Sequence, residues 1–231
     1  MSCIAGRLAL LRRRRLRAKL GTRAYAVGCR LSQGSTGRAA SGAPLKVDAG
    51  FAESHITMLS ASDFPLEGGC DCRYVRYRLE TAPLFVHCCH CRWCQRESGA
   101  SFALNAMIEG DRVNLLAGEI DVVDTPSNSG LGQKISRCPK CRIAVWSNYA
   151  GAGPVVKFVR IGTLDAPDLL PPDIHIFTDS KQPWVVIPEG TPAVPEYYDR
   201  ELYWPPESLA RRQAMLPQIE AHKAELRRER T

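Results

Sequence analysis

Between residues 68 and 188 the chain is a succession of short segments in which apolar and polar side chains alternate. Val75, Tyr77 and Leu79, for example, alternate with polar or amphipathic neighbours, which is the period of two expected of a strand with one buried face. Clusters of Gly, Pro, Asn and Asp separate these segments and predict turns. Further strands are predicted at 84–88, 102–108, 143–149, 155–161 and 174–178. The pattern therefore predicts a mainly β domain built of antiparallel sheets.

The pattern changes after Pro195, where the chain becomes rich in aromatic residues and proline and then takes a helical period over 207–230. Pro217 is expected to interrupt this helix, and the segment is expected to be a surface helix or a frayed tail. The predicted organisation is a basic segment at 1–60, a β domain at 61–195, and a C-terminal tail with a short helix at 196–231.

The net charge of +7 does not describe the β domain, because the basic residues are concentrated at one end. Residues 1–47 hold eleven Lys and Arg and no acidic residue, so 11 of the 31 basic side chains lie there and 20 remain against 24 acidic ones. A slightly acidic body is a poor surface for nucleic-acid phosphates and favours a small molecule as its partner. No apolar stretch approaches the ~20 residues of a membrane helix, so a membrane protein is not expected.

The segment 1–60 combines arginines and leucines with a following Ser/Gly/Ala stretch, and it contains Cys3 and Cys29, to which we assign no role. This composition is typical of an organellar transit peptide. A disordered basic tail and a start codon placed too far upstream remain open as alternatives. Because no secretory signal is legible, the sequence predicts a reducing, intracellular compartment, either cytoplasmic or, with a transit peptide, mitochondrial.

Ten cysteines indicate metal sites, because several are too close in sequence to form relaxed disulfides with each other. The pairs Cys70/Cys72 and Cys138/Cys141 lie far apart along the chain, and each is followed by a predicted strand. Two such short turns supply four thiolates, the ligand set of a closed tetrahedral zinc site. We expect this zinc to join the beginning of the sheet structure to its end.

A second group contains only three cysteines, Cys89, Cys91 and Cys94. Three protein ligands leave the fourth position of zinc vacant, as in catalytic sites. The alternative is a closed structural site completed by Cys88, His87 or His90. An open site of three thiolates would be a weak Lewis acid but could hold a substrate thiol as a nucleophilic thiolate, which suits attack on a small carbonyl.

These motifs resemble the glutathione-dependent formaldehyde-activating enzymes, whose zinc-binding β domain is shared with centromere protein V and has an Mss4-like fold. The resemblance covers about 65 to 190. Five blocks carry it in order: Gly-Cys-Asp-Cys at 69–72 with 75–77, Cys-His-Cys-Arg-Trp-Cys at 89–94 with 98–102, Arg-Cys-Pro-Lys-Cys at 137–141, Gly-Thr-Leu-Asp at 162–165, and 172–175 with Trp184.

The resemblance implies a structural zinc, a catalytic zinc held by the three-cysteine group, and a carbon-sulfur lyase activity. The substrates it implies are glutathione and formaldehyde, which give S-hydroxymethylglutathione. Arg73 and Arg142 stand where the family has glycine. They either accept a strained turn or attract the carboxylates of an acidic thiol.

A binding module remains the competing function. In it both zinc ions would be structural, and the basic segment would contact chromatin or another polyanion. A third possibility retains the enzyme but changes the substrate to another thiol adduct.

Overall fold

The computed structural model describes residues 61–127 and 130–229, and the segment 1–60 lies outside these ranges. Two β-sheets and three α-helices make up the described part. The strands are β1 (Leu66–Gly69), β2 (Arg76–Leu79), β3 (Phe85–Cys89), β4 (Ala103–Glu109), β5 (Val113–Ala117), β6 (Asp121–Thr125), β7 (Gln133–Arg137), β8 (Ala144–Tyr149), β9 (Val156–Arg160) and β10 (Ile174–Ile176). The helices are α1 (Arg92–Ser98), α2 (Arg200–Tyr203) and α3 (Pro206–Glu229). The prediction of a mainly β fold is confirmed.

The small sheet has the order β1-β2-β5, and the large sheet has the order β10-β3-β4-β9-β8-β7-β6. Every neighbouring pair is antiparallel, as expected, except β10 and β3 at the edge of the large sheet, which are parallel. The reason is the connection from β9 to β10. It crosses two strands through 3-10 turns at Ile161–Thr163 and Pro167–Leu169 instead of returning as a hairpin.

The large sheet is covered on both faces, which places the core in two layers. On one face, Tyr77 and Leu79 of the small sheet pack with Ile108 and Trp146. On the other face, the C-terminal segment packs against β3 and β4. Strand β4 serves both layers, since Ala106 and Ile108 face the first, whereas Ala103 and Met107 face the second.

Four of the described strands, β1, β5, β6 and β7, are absent from the sequence prediction, and two of them, β5 and β6, lack a continuous buried face. Most side chains of β5 are exposed, and those of β6 are exposed or half-buried. Without a buried face, the alternation of apolar and polar residues carries little information. Strand β5 is defined by its pairing with β2, which is distant in sequence, and β6 by its position at the edge of the large sheet.

Helix α3 is longer than the predicted short helix and continues through Pro217. Pro217 and Gln213, whose carbonyl loses its helical donor, are both exposed, so water can replace the missing hydrogen bond. Met215 and Ile219 are buried against the sheet, which explains why the helix is docked and is not a frayed tail. Within the described residues, no helix has the length and apolar character needed to cross a membrane.

An ion pair anchors α3 to the large sheet. Arg211 donates to both carboxylate oxygens of Glu109, from Nε at 2.8 Å and from Nη2 at 2.6 Å, and also to the carbonyl of Ala82. Glu109 is buried, with 8% of its side chain exposed, whereas Arg211 is 21% exposed. Burial opposes ionisation of Glu109, but the hydrogen bonds from Arg211, a backbone hydrogen bond and the charges of Arg211 and Arg112 together outweigh it and lower the pKa of this carboxyl.

Replacing Arg211 with alanine is expected to destabilise the protein by about 3 kcal/mol, because it leaves the buried carboxylate of Glu109 without its bidentate partner. The matched control is Arg112→Ala. Arg112 approaches the same carboxylate at only 3.5 Å and is 39% exposed, so its loss should cost less than about 1 kcal/mol. Chemical denaturation at pH 7 measures both. Equal losses in the two variants would contradict the proposed anchor.

The same pair predicts a pH dependence of stability. A carboxyl whose pKa is lowered by folding adds stability above its unfolded value, here 4.5, and loses that contribution as the pH falls through the lower folded value. The difference between wild type and Arg211→Ala should therefore be largest above pH 4.5 and shrink on acidification. A difference that stayed constant or grew at low pH would show that Arg211 acts through packing alone.

Candidate metal centres

The first cysteine cluster joins the two sheets. Cys70 and Cys72 lie in the turn between β1 and β2, while Cys138 and Cys141 lie in the turn between β7 and β8. All four Sγ atoms lie within 4.8 Å of one another. The Sγ of Cys72 is 3.4 Å from that of Cys70 and 3.7 Å from that of Cys138. These separations exceed the ~2.05 Å of a disulfide and approach the ~3.8 Å edge of a tetrahedron with zinc-sulfur bonds of about 2.3 Å. The four residues therefore fit a zinc ion.

Both turns are closed by a backbone hydrogen bond to the first cysteine and contain an arginine with a left-handed backbone, although the first turn is one residue shorter. In the first, the N–H of Arg73 donates to the carbonyl of Cys70 at 3.0 Å. In the second, the N–H of Arg142 donates to the carbonyl of Cys138 at 2.9 Å. Each arginine has a left-handed backbone, with φ of 58° at Arg73 and 64° at Arg142. This is the conformation that the glycine of the family pattern would adopt without strain.

Replacing Arg73 with glycine is expected to stabilise the protein by about 0.5 to 1 kcal/mol. The relief of the left-handed strain exceeds the greater freedom that glycine gives the unfolded chain. Arg73→Ala is the matched control, because it removes the same charge and keeps the Cβ that causes the strain. Thermal unfolding of the zinc-loaded proteins compares them. If both variants gained the same stability, the removal of the charge, and not the relief of backbone strain, would be the cause.

The second cysteine cluster is formed at the end of β3 and the beginning of α1. Cys89 ends β3, Cys91 is the N-cap of α1, and Cys94 lies in its first turn. The Sγ of Cys91 accepts a hydrogen bond from the N–H of Cys94 at 3.4 Å, so one ligand also caps the helix. The three Sγ atoms lie within 4.8 Å of one another, and Cys89 and Cys94 are buried, whereas Cys91 is half-buried. The cluster thus has one partly accessible side.

The three thiols are strongly coupled. The thiols of Cys89 and Cys94, together with backbone N–H groups of Trp93 and Cys94, lower the pKa of Cys91, although burial opposes this. Hydrogen bonds with the thiols of Cys91 and Cys94 raise the pKa of Cys89, and burial raises it further. Among the three thiols, Cys91 is therefore the one whose thiolate form is favoured. A zinc ion would deprotonate all three thiols, since its charge dominates such a site.

A cavity of about 350 Å³ opens over the three cysteines. Aromatic rings form much of its wall, and the amides of Asn105 and Gln133 contribute polar groups. The aromatic residues are Trp93, Tyr149, Phe158, Phe177 and Tyr197. A concave, largely apolar space of this size with a few polar groups is typical of a small-molecule site.

A hydrogen-bonded chain leads from the C-terminal tail to the cavity. Trp204 Nε1 donates to Tyr198 Oη at 2.8 Å, and Tyr198 Oη lies 2.5 Å from Nε2 of His87, whose ring lines the cavity. Because the indole can only donate, Tyr198 accepts from Trp204, and its own hydroxyl proton is available to Nε2 of His87. Burial, followed by the charge of Arg200, lowers the pKa of His87 to about 4 and keeps the ring neutral.

The residues considered as a fourth ligand are placed elsewhere. Cys88 and His90 form a separate buried group with His175. His87 lines the cavity and is engaged with Tyr198. None of the three residues belongs to the group of donor atoms formed by Cys89, Cys91 and Cys94.

Sequence reasoning missed the wall of this cavity. Tyr149 and Phe158 lie on β8 and β9, and Tyr197 belongs to the C-terminal tail, which was expected to be a surface helix or a frayed tail. The cluster of aromatic residues from Tyr197 onward was the available signal. Aromatic residues are enriched in binding sites, but they are equally common in cores.

Fold and site together define a mainly β protein with two cysteine centres, one linking two sheets and the other at the base of a cavity. The profile of a family described as "Glutathione-dependent formaldehyde-activating enzyme" matches residues 65–180, a range that includes all ten strands and both cysteine centres. The chain belongs to this family.

Among solved structures, the crystal structure of a Rhodobacter sphaeroides protein, a structural-genomics target, is similar to this chain. The similarity covers 43% of this chain and 88% of that chain, with 18% sequence identity and a TM-score of 0.35. A comparison with curated proteins gave no match.

Proposed function

We propose that this protein is a zinc-dependent carbon-sulfur lyase that forms or cleaves a thiol-carbonyl adduct, with glutathione and formaldehyde as its substrates. The observation that carries the proposal is the cavity over Cys89, Cys91 and Cys94, because it gives a small molecule access to a centre of three thiols. Membership of the family supports the choice of substrates.

The two cysteine centres would hold one zinc ion each. Cys70, Cys72, Cys138 and Cys141 supply a complete tetrahedral set, which suits a structural role. Cys89, Cys91 and Cys94 supply three ligands. A zinc ion held by these three residues would supply a coordination position at which a substrate thiol could be held as its thiolate. The mononuclear three-thiolate centre would thus be the catalytic one.

The reaction adds a thiol to a carbonyl group without a change of oxidation state, so it needs no redox partner. The thiol loses its proton, its sulfur forms a bond to the carbonyl carbon, and the electron pair of the broken π bond moves to oxygen, which takes up a proton. The aromatic wall of the cavity excludes water around the reacting atoms, and the amide groups of Asn105 and Gln133 can bind the polar oxygen. Cleavage is the reverse of this sequence.

Cations near the cavity suit an acidic thiol such as glutathione. Arg160 interacts electrostatically with Cys94, and Arg200 interacts with His87. Arg73 and Arg142, considered from sequence as carboxylate anchors, are exposed in the turns of the first cluster, and Arg142 pairs with Asp121 at 2.7 Å. We therefore assign attraction of the glutathione carboxylates to Arg160 and Arg200.

Exchange spectroscopy by NMR tests the proposal. Zinc-loaded protein, added to glutathione and carbon-13 formaldehyde at equilibrium, should accelerate exchange between free formaldehyde and the adduct. Metal-depleted protein provides the first control, and S-methylglutathione, which has the same charges but no free thiol, provides the second. Calorimetry in buffers of different ionisation enthalpy should show proton release when glutathione binds, because the thiol binds as thiolate.

The outcomes separate the candidate functions. Acceleration that requires both zinc and the thiol supports the lyase. Proton-releasing binding of glutathione without acceleration would retain the thiol site and refute formaldehyde as the partner. If zinc-loaded protein neither bound glutathione nor accelerated exchange, the lyase proposal would fail, and the binding module with two structural zinc ions would replace it.

A further inference from the structure

A third group of metal-binding side chains lies on the opposite face of β3 from the three-cysteine centre. Cys88 and His175 are register partners in the parallel pair of β3 and β10, so their side chains lie on the same face of the sheet. The backbone N–H of His90 donates to the carbonyl of Ile176, which extends the pairing by another step. The topology thus brings together three residues that are separated by up to 87 positions in sequence.

The donor atoms of this group converge. Nε2 of His90 lies 2.9 Å from Nδ1 of His175 and 3.6 Å from Sγ of Cys88. All three donor atoms lie within 4.8 Å of one another. The side chains are almost completely buried, with relative exposures of 1% for Cys88, 0% for His90 and 5% for His175. This is the spacing of ligands around a single ion.

The two imidazole rings have no polar contacts that point elsewhere. Nδ1 of His90 and Nε2 of His175 have no hydrogen-bond partner among the described residues. The rings stack at 5.2 Å, and Phe102 packs against the edge of His90. No hydrogen bond to another residue therefore fixes the orientation of the two rings. Their other nitrogens, Nε2 of His90 and Nδ1 of His175, lie close to each other and to Sγ of Cys88. Two buried histidines and a buried cysteine in this arrangement are unusual for an apolar core.

We propose that Cys88, His90 and His175 form a third metal site, which binds a d10 cation through one thiolate and two imidazole nitrogens. The charge balance favours copper(I). One thiolate neutralises a monovalent ion, whereas zinc(II) would leave a net buried positive charge. A thiolate with two imidazoles is also a ligand set that soft or borderline ions prefer over magnesium or calcium.

The proposed ion would lie behind the three-cysteine centre. Cys88 precedes Cys89 and His90 precedes Cys91, so the backbone that presents the outer ligands also presents the inner ones. The ion would join β10 to β3 at this point and hold the ligand-bearing turn in place. This site does not rest on the proposed lyase activity, since its ligands and its face of the sheet are different.

X-ray absorption spectroscopy of the full chain tests the site. Protein refolded anaerobically with excess zinc would first fill the cysteine centres, and copper(I) would then be supplied from a chelator-buffered solution. We expect one additional copper ion per chain without release of zinc, and imidazole scattering at the copper edge. Because the other two centres contain only sulfur, imidazole scattering distinguishes this site from them.

Variants provide the second arm. His175→Gln should weaken uptake of the additional ion by about 100-fold or more, whereas His222→Gln, a histidine of α3 outside the cluster, should bind it as wild type does. If the zinc-only protein already shows a third zinc ion with imidazole scattering that His175→Gln removes, the site exists and its ion is zinc.

Copper uptake matched by zinc release, with a sulfur-only shell, would overturn the proposal, because copper would then occupy the cysteine centres. Absence of any third ion in wild-type protein would also overturn it. These two outcomes are decided on wild type, so the test holds even if His175→Gln fails to fold.

Discussion

Replacing Cys141 with serine should abolish cooperative folding of the β domain. Cys141 is one of four thiols that hold the turn between β1 and β2 against the turn between β7 and β8, and Cys72 and Cys138 are 66 residues apart. A structural zinc site contributes about 10 to 16 kcal/mol, which equals or exceeds the total stability of most domains, about 5 to 15 kcal/mol. Losing one ligand should therefore remove the thermal transition. Cys70→Ser should have the same effect.

Thermal melts followed by circular dichroism, with the zinc content of each sample measured in parallel, check this result. Cys94→Ala is a useful comparison, because it removes a buried cysteine of the second centre. A strong chelator should reproduce the Cys141→Ser phenotype in wild type. A variant that melted like wild type while it lacked one zinc ion would show that the first centre does not support the fold.

Replacing Cys94 with alanine should have the opposite profile, with loss of activity and retention of the fold. Its centre joins Cys89, Cys91 and Cys94, which are already neighbours in sequence, so it restricts the unfolded chain far less than the first centre does. Even residues that only support metal ligands change activity or metal affinity by 10-fold to 100-fold. Loss of a ligand should therefore reduce formaldehyde exchange by at least about 100-fold, while the melting temperature falls by less than about 5 °C.

The exchange assay and a thermal melt on the same preparation give both readings. Ser98→Ala is a matched control on α1, because its hydroxyl bonds only to the local carbonyls of Cys94 and Phe102 and to the N–H of Ala100. It should retain most of the activity. If Cys94→Ala retained full activity, the second centre would not be catalytic. If Cys94→Ala unfolded, the separation into a structural and a catalytic centre would be wrong.

The grouping of the cysteines could be predicted from the sequence, because metal ligands in short turns are close together in the chain. Cys70 with Cys72, Cys138 with Cys141, and the set of Cys89, Cys91 and Cys94 are each defined by spacing, and the structure brings their sulfur atoms together in the same groups. The mainly β fold class could be predicted for a related reason. A strand with one buried face, such as β2, carries the period of two in its own residues.

The tertiary structure alone decided the features that depend on contacts between distant segments. The register between β3 and β10 placed His175 beside Cys88, although the two residues are far apart in the sequence. The C-terminal tail supplied Tyr197 to the cavity wall and Tyr198 to His87, and α3 continued past Pro217 because its apolar side chains are buried on the sheet. Local sequence determines which residues can bind a metal or form a strand. Long-range packing determines which of them meet, because its free energy comes from surfaces that no single segment contains.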